Sequence, residues 1–183
     1  MLYSQLTTTE KNQIETKINT LLGSSILTDI FKEKVMISIN GSRKEAFLIS
    51  KVNMDLLTEI KSNSNNTNCK LIHAGIKLGF FIRDDFRFGI ESLSFLAPLT
   101  KKRIQLNARK TQEFIYGKDI EITSEKILVQ IKQFVENEIT IIFSDNSIPI
   151  GFGKITFNKK KPLIQIKNLI DSGIYIRSEK SAF

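Results

Sequence analysis

Apolar positions near the start of the chain recur with a helical period. Ile14, Ile18, Leu21 and Leu22 are spaced three and four apart, which puts them on one face of an amphipathic helix. Thr7 with Glu10 three residues later has the form of a capping box, and Gly23 supplies a stop. The period then shortens to two. Val35, Ile37 and Ile39 alternate with Met36 and Ser38, Asn40-Gly41 tolerates positive φ, and Ala46 to Ile49 resumes an apolar run, the pattern of a β-hairpin. Ser50 is placed to cap a second helix that is predicted to turn Val52, Leu56, Leu57 and Ile60 to the core. The polar segment Ser62 to Asn68 reads as a loop. Strand-like runs follow at Leu71 to Ala74, Phe80 to Ile82 and Phe86 to Ile90, the last two joined by a hairpin tip at Asp84-Asp85, before Leu93 to Ala97 leads to Pro98. Residues 1–98 therefore read as an α/β domain.

Beyond Pro98 short strands and frequent turns predict a small barrel or sandwich over residues 99–183. Ile127, Val129 and Ile131 alternate with Leu128, Gln130 and Lys132; Ile139 to Phe143 is continuously apolar; Ser144 to Ser147 turns the chain. Side chains on a strand alternate between faces, so burying Ile155 and Phe157 sends Lys154 and Thr156 outward. Burying Ile164 and Ile166 likewise exposes Gln165 and Lys167, and Lys159, Lys160 and Lys161 occupy the turn between. A ridge of cations is expected to flank that turn on one side of the barrel.

Composition narrows the class. With 183 residues, 41% apolar and 25% charged, the chain can bury one good core or two small ones. No run approaches the roughly 20 apolar residues of a spanning helix, and Met1 to Asn12 lacks the basic-then-apolar plan of a signal peptide. Cys69 is the single cysteine, which excludes an intramolecular disulfide and points to a reducing compartment. The net charge of +8 is uneven: residues 1–98 carry 12 Lys and Arg against 10 Asp and Glu, residues 99–183 carry 15 against 9. Residues 151–183 alone hold seven cations and two anions. Such clustering gains affinity for a polyanion through counterion release.

The inventory of reactive groups is poor. His73 is the only histidine and sits in a strand-like run; Cys69 would have to recruit it from four residues away; Asp84 and Asp85 are neighbours that point apart. Gly151-Phe152-Gly153 leads into the strand pattern Lys154-Ile155-Thr156-Phe157, whereas a phosphate loop leads into a helix. The expectation is a protein without catalytic activity, metal or cofactor. Gly151, Gly153 and Gly173 read as shaping the barrel, Tyr175 as core, and at least one pair among Phe80, Phe81, Phe86 and Phe88 as packing rather than an aromatic platform.

Three segments in the last 70 residues succeed one another in a telling order: Phe114-Ile115-Tyr116-Gly117-Lys118-Asp119-Ile120, Ile148-Pro149-Ile150-Gly151-Phe152-Gly153, and Asp171-Ser172-Gly173-Ile174-Tyr175-Ile176-Arg177. This succession resembles the PUA domain, the RNA-binding module of pseudouridine synthases and archaeosine transglycosylases. Upstream, Phe47-Leu48-Ile49-Ser50-Lys51, Gly75, Gly79-Phe80-Phe81, Phe86-Arg87-Phe88, Leu93 and Leu96-Ala97-Pro98 stand in the same order as in the Nip-seven (nuclear import protein seven) family of ribosome biogenesis factors, which the whole chain resembles. The resemblance implies an α+β protein: an N-terminal α/β domain followed by a C-terminal PUA domain, a small mixed β-barrel whose final strand carries Asp171, Gly173, Tyr175 and Arg177. It implies a monomeric factor that assists large-subunit assembly and pre-rRNA processing without chemistry of its own. The PUA domain would bind single-stranded or loop RNA, and the N-terminal domain would dock other assembly factors of the pre-ribosomal particle. RNA would lie against Tyr116, Gly117 and Lys118, with Arg177 and Lys180 opposite, joined by Lys154, Lys159, Lys160, Lys161 and Lys167. An archaeal, cytoplasmic setting is expected, or a nucleolar or nuclear one if the source is eukaryotic. Two rivals are a protein adaptor that does not bind RNA and the RNA-binding accessory subunit of a modification enzyme.

Overall fold

The computed structural model describes residues 3–23, 31–63, 71–122, 130, 132–158 and 163–180. By their contacts these divide into two units: residues 1–19 with 24–92, and residues 20–23 with 93–183.

The first unit is built on an antiparallel sheet in simple order, β1 (Ser4–Gln5), β2 (Lys34–Asn40), β3 (Lys44–Ser50), β4 (Ile76–Ile82) and β5 (Asp85–Phe88). The expected hairpin is β2–β3, with Ile37 opposite Phe47 and Val35 opposite Ile49. Helix α1 (Thr8–Leu22) opens with the expected box: the Thr7 N–H donates to Glu10 Oε2 at 2.9 Å and the Glu10 N–H to Thr7 Oγ1 at 3.3 Å. Ile14, Ile18, Leu21 and Leu22 are buried, as their spacing requires. The other side of α1 is strapped to the β4–β5 tip. Gln13 bonds both the Asp84 carbonyl and the Phe86 N–H, and Lys17 pairs with Asp85 at 2.6 Å. Phe81, Phe86 and Phe88 are buried with rings about 5.5 and 5.4 Å apart, and Phe80 lies under the Arg43 guanidinium, 3.7 Å from its centroid. These rings pack rather than form a platform.

Two expectations fail here. Leu71 to Ala74 is not a strand; β4 begins at Ile76, after the His73 ring packs edge-on against Phe47 and its Nε2 bonds the Gly75 carbonyl oxygen at 2.9 Å. Helix α2 (Lys51–Asn63) is capped by Ser50, whose Oγ accepts from the Asn53 N–H, but it presents a different face than predicted. Met54 and Leu57 pack on the core, while Val52, Leu56 and Ile60 are more than half exposed. The helix carries two apolar stripes, and the bond between the Tyr3 hydroxyl and Thr58 Oγ1 at 3.2 Å goes with the Met54 side facing inward. Cys69 and the stretch Ser64 to Asn68 of the polar loop lie outside the described residues.

The second unit opens with a short helix, α3 (Leu93–Leu96). Its sheet has the order β6 (Arg103–Gln105), β8 (Ile139–Phe143), β9 (Pro149–Asn158), β10 (Leu163–Asp171) and β7 (Ile120–Ile122), with β6 and β8 parallel and the remaining pairs antiparallel. The sheet curls as a half-barrel with β6 and β7 as its outer strands. Helix α4 (Ala108–Ile115) lies between β6 and β7 in sequence and sinks Phe114 among Ile104, Ile120, Ile150, Ile155 and Ile166. Ile155 and Ile166 point inward and Lys167 outward, as alternation predicts. The expected strand at Ile127 to Ile131 lies outside the described residues save Gln130, which is helical.

The last segment differs most. The chain leaves β10 at Asp171, and Ile174 to Lys180 form helix α5 rather than a final strand. The Gly173 N–H donates to Asp171 Oδ1 at 2.9 Å and the Arg177 N–H to the Gly173 carbonyl at 3.0 Å, which turns the backbone before alternation can continue. Tyr175, expected in the core, is therefore exposed together with Ile174 and Ile176.

Burial pulls the Glu10 carboxyl up, but the Lys44 ammonium and the Thr7 N–H outweigh it and hold it below the ordinary carboxylate range. A depressed carboxylate adds stability that is complete above its unfolded pKa and is lost as pH falls through the folded one. Denaturant melts should therefore show wild type exceeding Glu10→Gln by a constant margin above about pH 5, with the margin shrinking at lower pH. A margin independent of pH would remove the charge from the box.

Candidate nucleic-acid interface

At one end of β10, three segments of the second unit converge. Asn107 caps α4 through its side-chain oxygen, which accepts from the Lys110 N–H at 2.9 Å. The helix ends at Tyr116, and Gly117 takes a left-handed conformation (φ +81°) that lets its N–H donate to the Phe114 carbonyl and the Lys118 N–H to the Glu113 carbonyl. Alongside, Asp171 ends β10 as a carboxylate only 1% exposed. It accepts from the Gly173 N–H and, bidentately, from Arg177 Nη1 and Nη2, each at 2.9 Å. Arg177 Nη1 also donates to the Ile115 carbonyl. One guanidinium thus ties β10, the end of α4 and α5 together.

Two glycines make room for it. A Cβ at Gly117 would sit 3.3 Å from Arg177 Cζ, and one at Gly173 would collide with the Ile115 carbonyl oxygen. Asn168 adds a second tie: its Nδ2 donates to the Phe114 carbonyl at 2.7 Å and its backbone N–H to Asp119 Oδ1 at 2.8 Å. The hydrogen bonds that Arg177 donates to Asp171 raise the Arg177 pKa against the opposing effect of burial.

The ten positions singled out from sequence fall into three sets. Tyr116, Gly117, Lys118 and Arg177 come together at this turn, Tyr116 71% exposed and Lys118 exposed. Lys154 and Lys167 stand directly opposite one another on β9 and β10 and make no ion pair among the described residues. Cα atoms of such a pair lie about 5 Å apart, so both ammonium groups leave the same face. Lys159, Lys160 and Lys161 lie outside the described residues, and of Lys180 only the backbone, in the last turn of α5, is described. β10 links the first two sets: Lys167 adjoins Asn168, and Asp171 follows about 13 Å farther along the strand.

Arg177 is less open than the sequence suggested, since three of its five N–H groups are engaged by Asp171 and Ile115. Sequence reading named Asp171 only for its spacing, and it missed Asn168 and Gln112 altogether. The available signal was an acid six residues before an arginine with a glycine between them.

A five-stranded half-barrel with a glycine turn after its helix defines a PUA domain, the class to which the second unit belongs. More particularly, residues 102–180 match the UPF0113 PUA domain. A UPF0113 protein of Archaeoglobus fulgidus is 26% identical over 159 residues, 84% of each chain. The crystal structure of a hypothetical protein from the hyperthermophilic archaeon Pyrococcus horikoshii OT3 matches 96% of this chain and 99% of that one with a TM-score of 0.54. At 10% identity, that likeness speaks for the fold alone.

Removing the guanidinium would leave a buried carboxylate with only the Gly173 N–H. Arg177→Ala should lower the unfolding free energy by about 2–3 kcal/mol, less than for fully buried pairs because Arg177 is 39% exposed. Arg177→Lys, keeping charge but not the fork, should fall between. Chemical denaturation followed by circular dichroism measures both; wild-type stability of Arg177→Ala would remove the clamp from the account.

Proposed function

We propose that this chain is a non-catalytic RNA-binding factor of ribosome biogenesis that acts in large-subunit assembly and pre-rRNA processing. Its second unit holds single-stranded or loop RNA, and its first unit docks other assembly factors. The observation that carries the reading is the alignment along β10 of an exposed glycine turn, Tyr116-Gly117-Lys118, with the opposed cations Lys154 and Lys167. Like charges facing each other across strands cost stability, and a polyanion laid over them removes that cost. Colinearity with the Nip-seven family supports the ribosomal setting, and the UPF0113 relative from an archaeon supports an archaeal, cytoplasmic one. No helix among the described residues is long and apolar enough to cross a membrane.

The docking role of the first unit is favoured by the stripe Val52, Leu56 and Ile60 on α2, each more than half exposed at helical spacing. The same stripe is what an adaptor without RNA binding would use. Pull-downs insensitive to ribonuclease, with no RNA shift at low salt, would favour that rival.

Titrating single-stranded RNA at several salt concentrations tests the proposal. Lys154→Gln and Lys167→Gln should each reduce the slope of log K against log salt by about 0.7 for every phosphate no longer neutralised. Replacing Lys159, Lys160 and Lys161 together should reduce it further. Slopes unchanged in all three variants would place the RNA elsewhere.

A further inference from the structure

The ends of α4 and α5 enclose a cavity of about 260 Å³ lined by Gln112, Ile115, Tyr116, Gly173, Ile176 and Arg177. Its size and walls are unlike those of a phosphate site. Tyr116 and Ile176, 71% and 60% exposed, supply flat and branched apolar surface. Gln112, Ile115 and Tyr116 stand three and four residues apart on α4, so one helix face contributes an amide, an aliphatic wall and a ring. Opposite them, Asp171 and the Ile115 carbonyl hold the Arg177 guanidinium in one plane and between them occupy three of its five N–H groups. Nε–H and one Nη2–H have no acceptor among the described residues. Beside the guanidinium, Gly117 leaves vacant the space a Cβ would fill, 3.3 to 3.6 Å from Cζ and both Nη atoms.

We infer that this cavity takes a single unstacked nucleobase of a bound RNA strand, a claim that rests on the RNA-binding reading above. The volume is sufficient for one base. A base has an apolar face and a polar edge, and the cavity offers both complements: the Tyr116 ring and the guanidinium plane for stacking, the Gln112 amide and the residual Arg177 N–H groups for the edge. Because Asp171 balances the Arg177 charge, the contribution of the site is stacking and hydrogen bonding, with little counterion release. That separates it in kind from Lys154 and Lys167, whose contribution is electrostatic. The Gln112 amide, able to donate and accept, gives the site a means of preferring one base.

Fluorescence anisotropy with labelled single-stranded decamers of adenylate and of uridylate, and with a decamer of equal charge bearing abasic riboses, tests the inference on the full chain. Tyr116→Ala should weaken base-bearing RNA about tenfold with the salt slope unchanged, whereas Tyr116→Phe should stay near wild type. The abasic decamer should bind wild type more weakly by a similar factor and be indifferent to Tyr116→Ala. Gln112→Ala should alter the ratio of adenylate to uridylate affinity. Free AMP and UMP should compete only at millimolar levels; micromolar competition would assign the cavity to a free nucleotide and overturn the inference. Wild-type affinity in Tyr116→Ala, while Lys154→Gln and Lys167→Gln weaken binding, would overturn it and leave the RNA reading standing. No binding of any decamer by wild type at low salt would overturn both.

Discussion

A buried carboxylate has to be compensated, and the second unit is arranged around how Asp171 is. Isolated from water, it would cost several kcal/mol. Here the charge is met by a bidentate guanidinium and a backbone N–H. Because Arg177 reaches Asp171 from α5 while also bonding the Ile115 carbonyl, compensation requires that α5 fold back, that α4 stop where it does, and that no side chain intervene at Gly117 or Gly173. The glycine turn, the end of β10 and the start of α5 thus form one interlocked assembly.

That assembly separates two kinds of positive charge. Arg177 is immobilised, balanced by its acid and set in a plane, which makes it a good surface for a flat partner and a poor attractor at long range. Lys154 and Lys167 are the opposite: flexible ammonium groups placed opposite each other on one face, without an anionic partner among the described residues. Long-range attraction comes from charges of the second kind. Geometric discrimination comes from groups of the first kind, since only a group held by its neighbours can reject a badly shaped ligand.

The first unit uses similar means for a different end. Gln13 and Lys17 fasten α1 to the β4–β5 tip by bonding its backbone and Asp85, so the Asp85 carboxylate there is structural. What stays uncommitted is apolar: one stripe of α2 is left outside the core that its other stripe helps to form. An exposed aliphatic stripe at helical spacing suits a protein partner better than a nucleic acid strand.

Elements governed by interactions between near neighbours were legible in the residues. The capping box of α1, the β2–β3 hairpin, the Ser50 cap and the outward direction of Lys167 depend on contacts within a few positions or on strand alternation. The choice between the two stripes of α2 was not legible, because both satisfy helical spacing and a bond from Tyr3, 55 residues away, goes with one of them. Ile174 to Ile176 carry a strand-like pattern, yet they form a helix once Asp171 captures the Gly173 N–H and Arg177 at the same time. The residues alone determined the basic character of the second unit and its succession of short strands. Tertiary structure alone decided which cations stand free and which are clamped, because the pairing of a charge depends on what the fold brings within about 3 Å of it, and sequence distance carries no information about that.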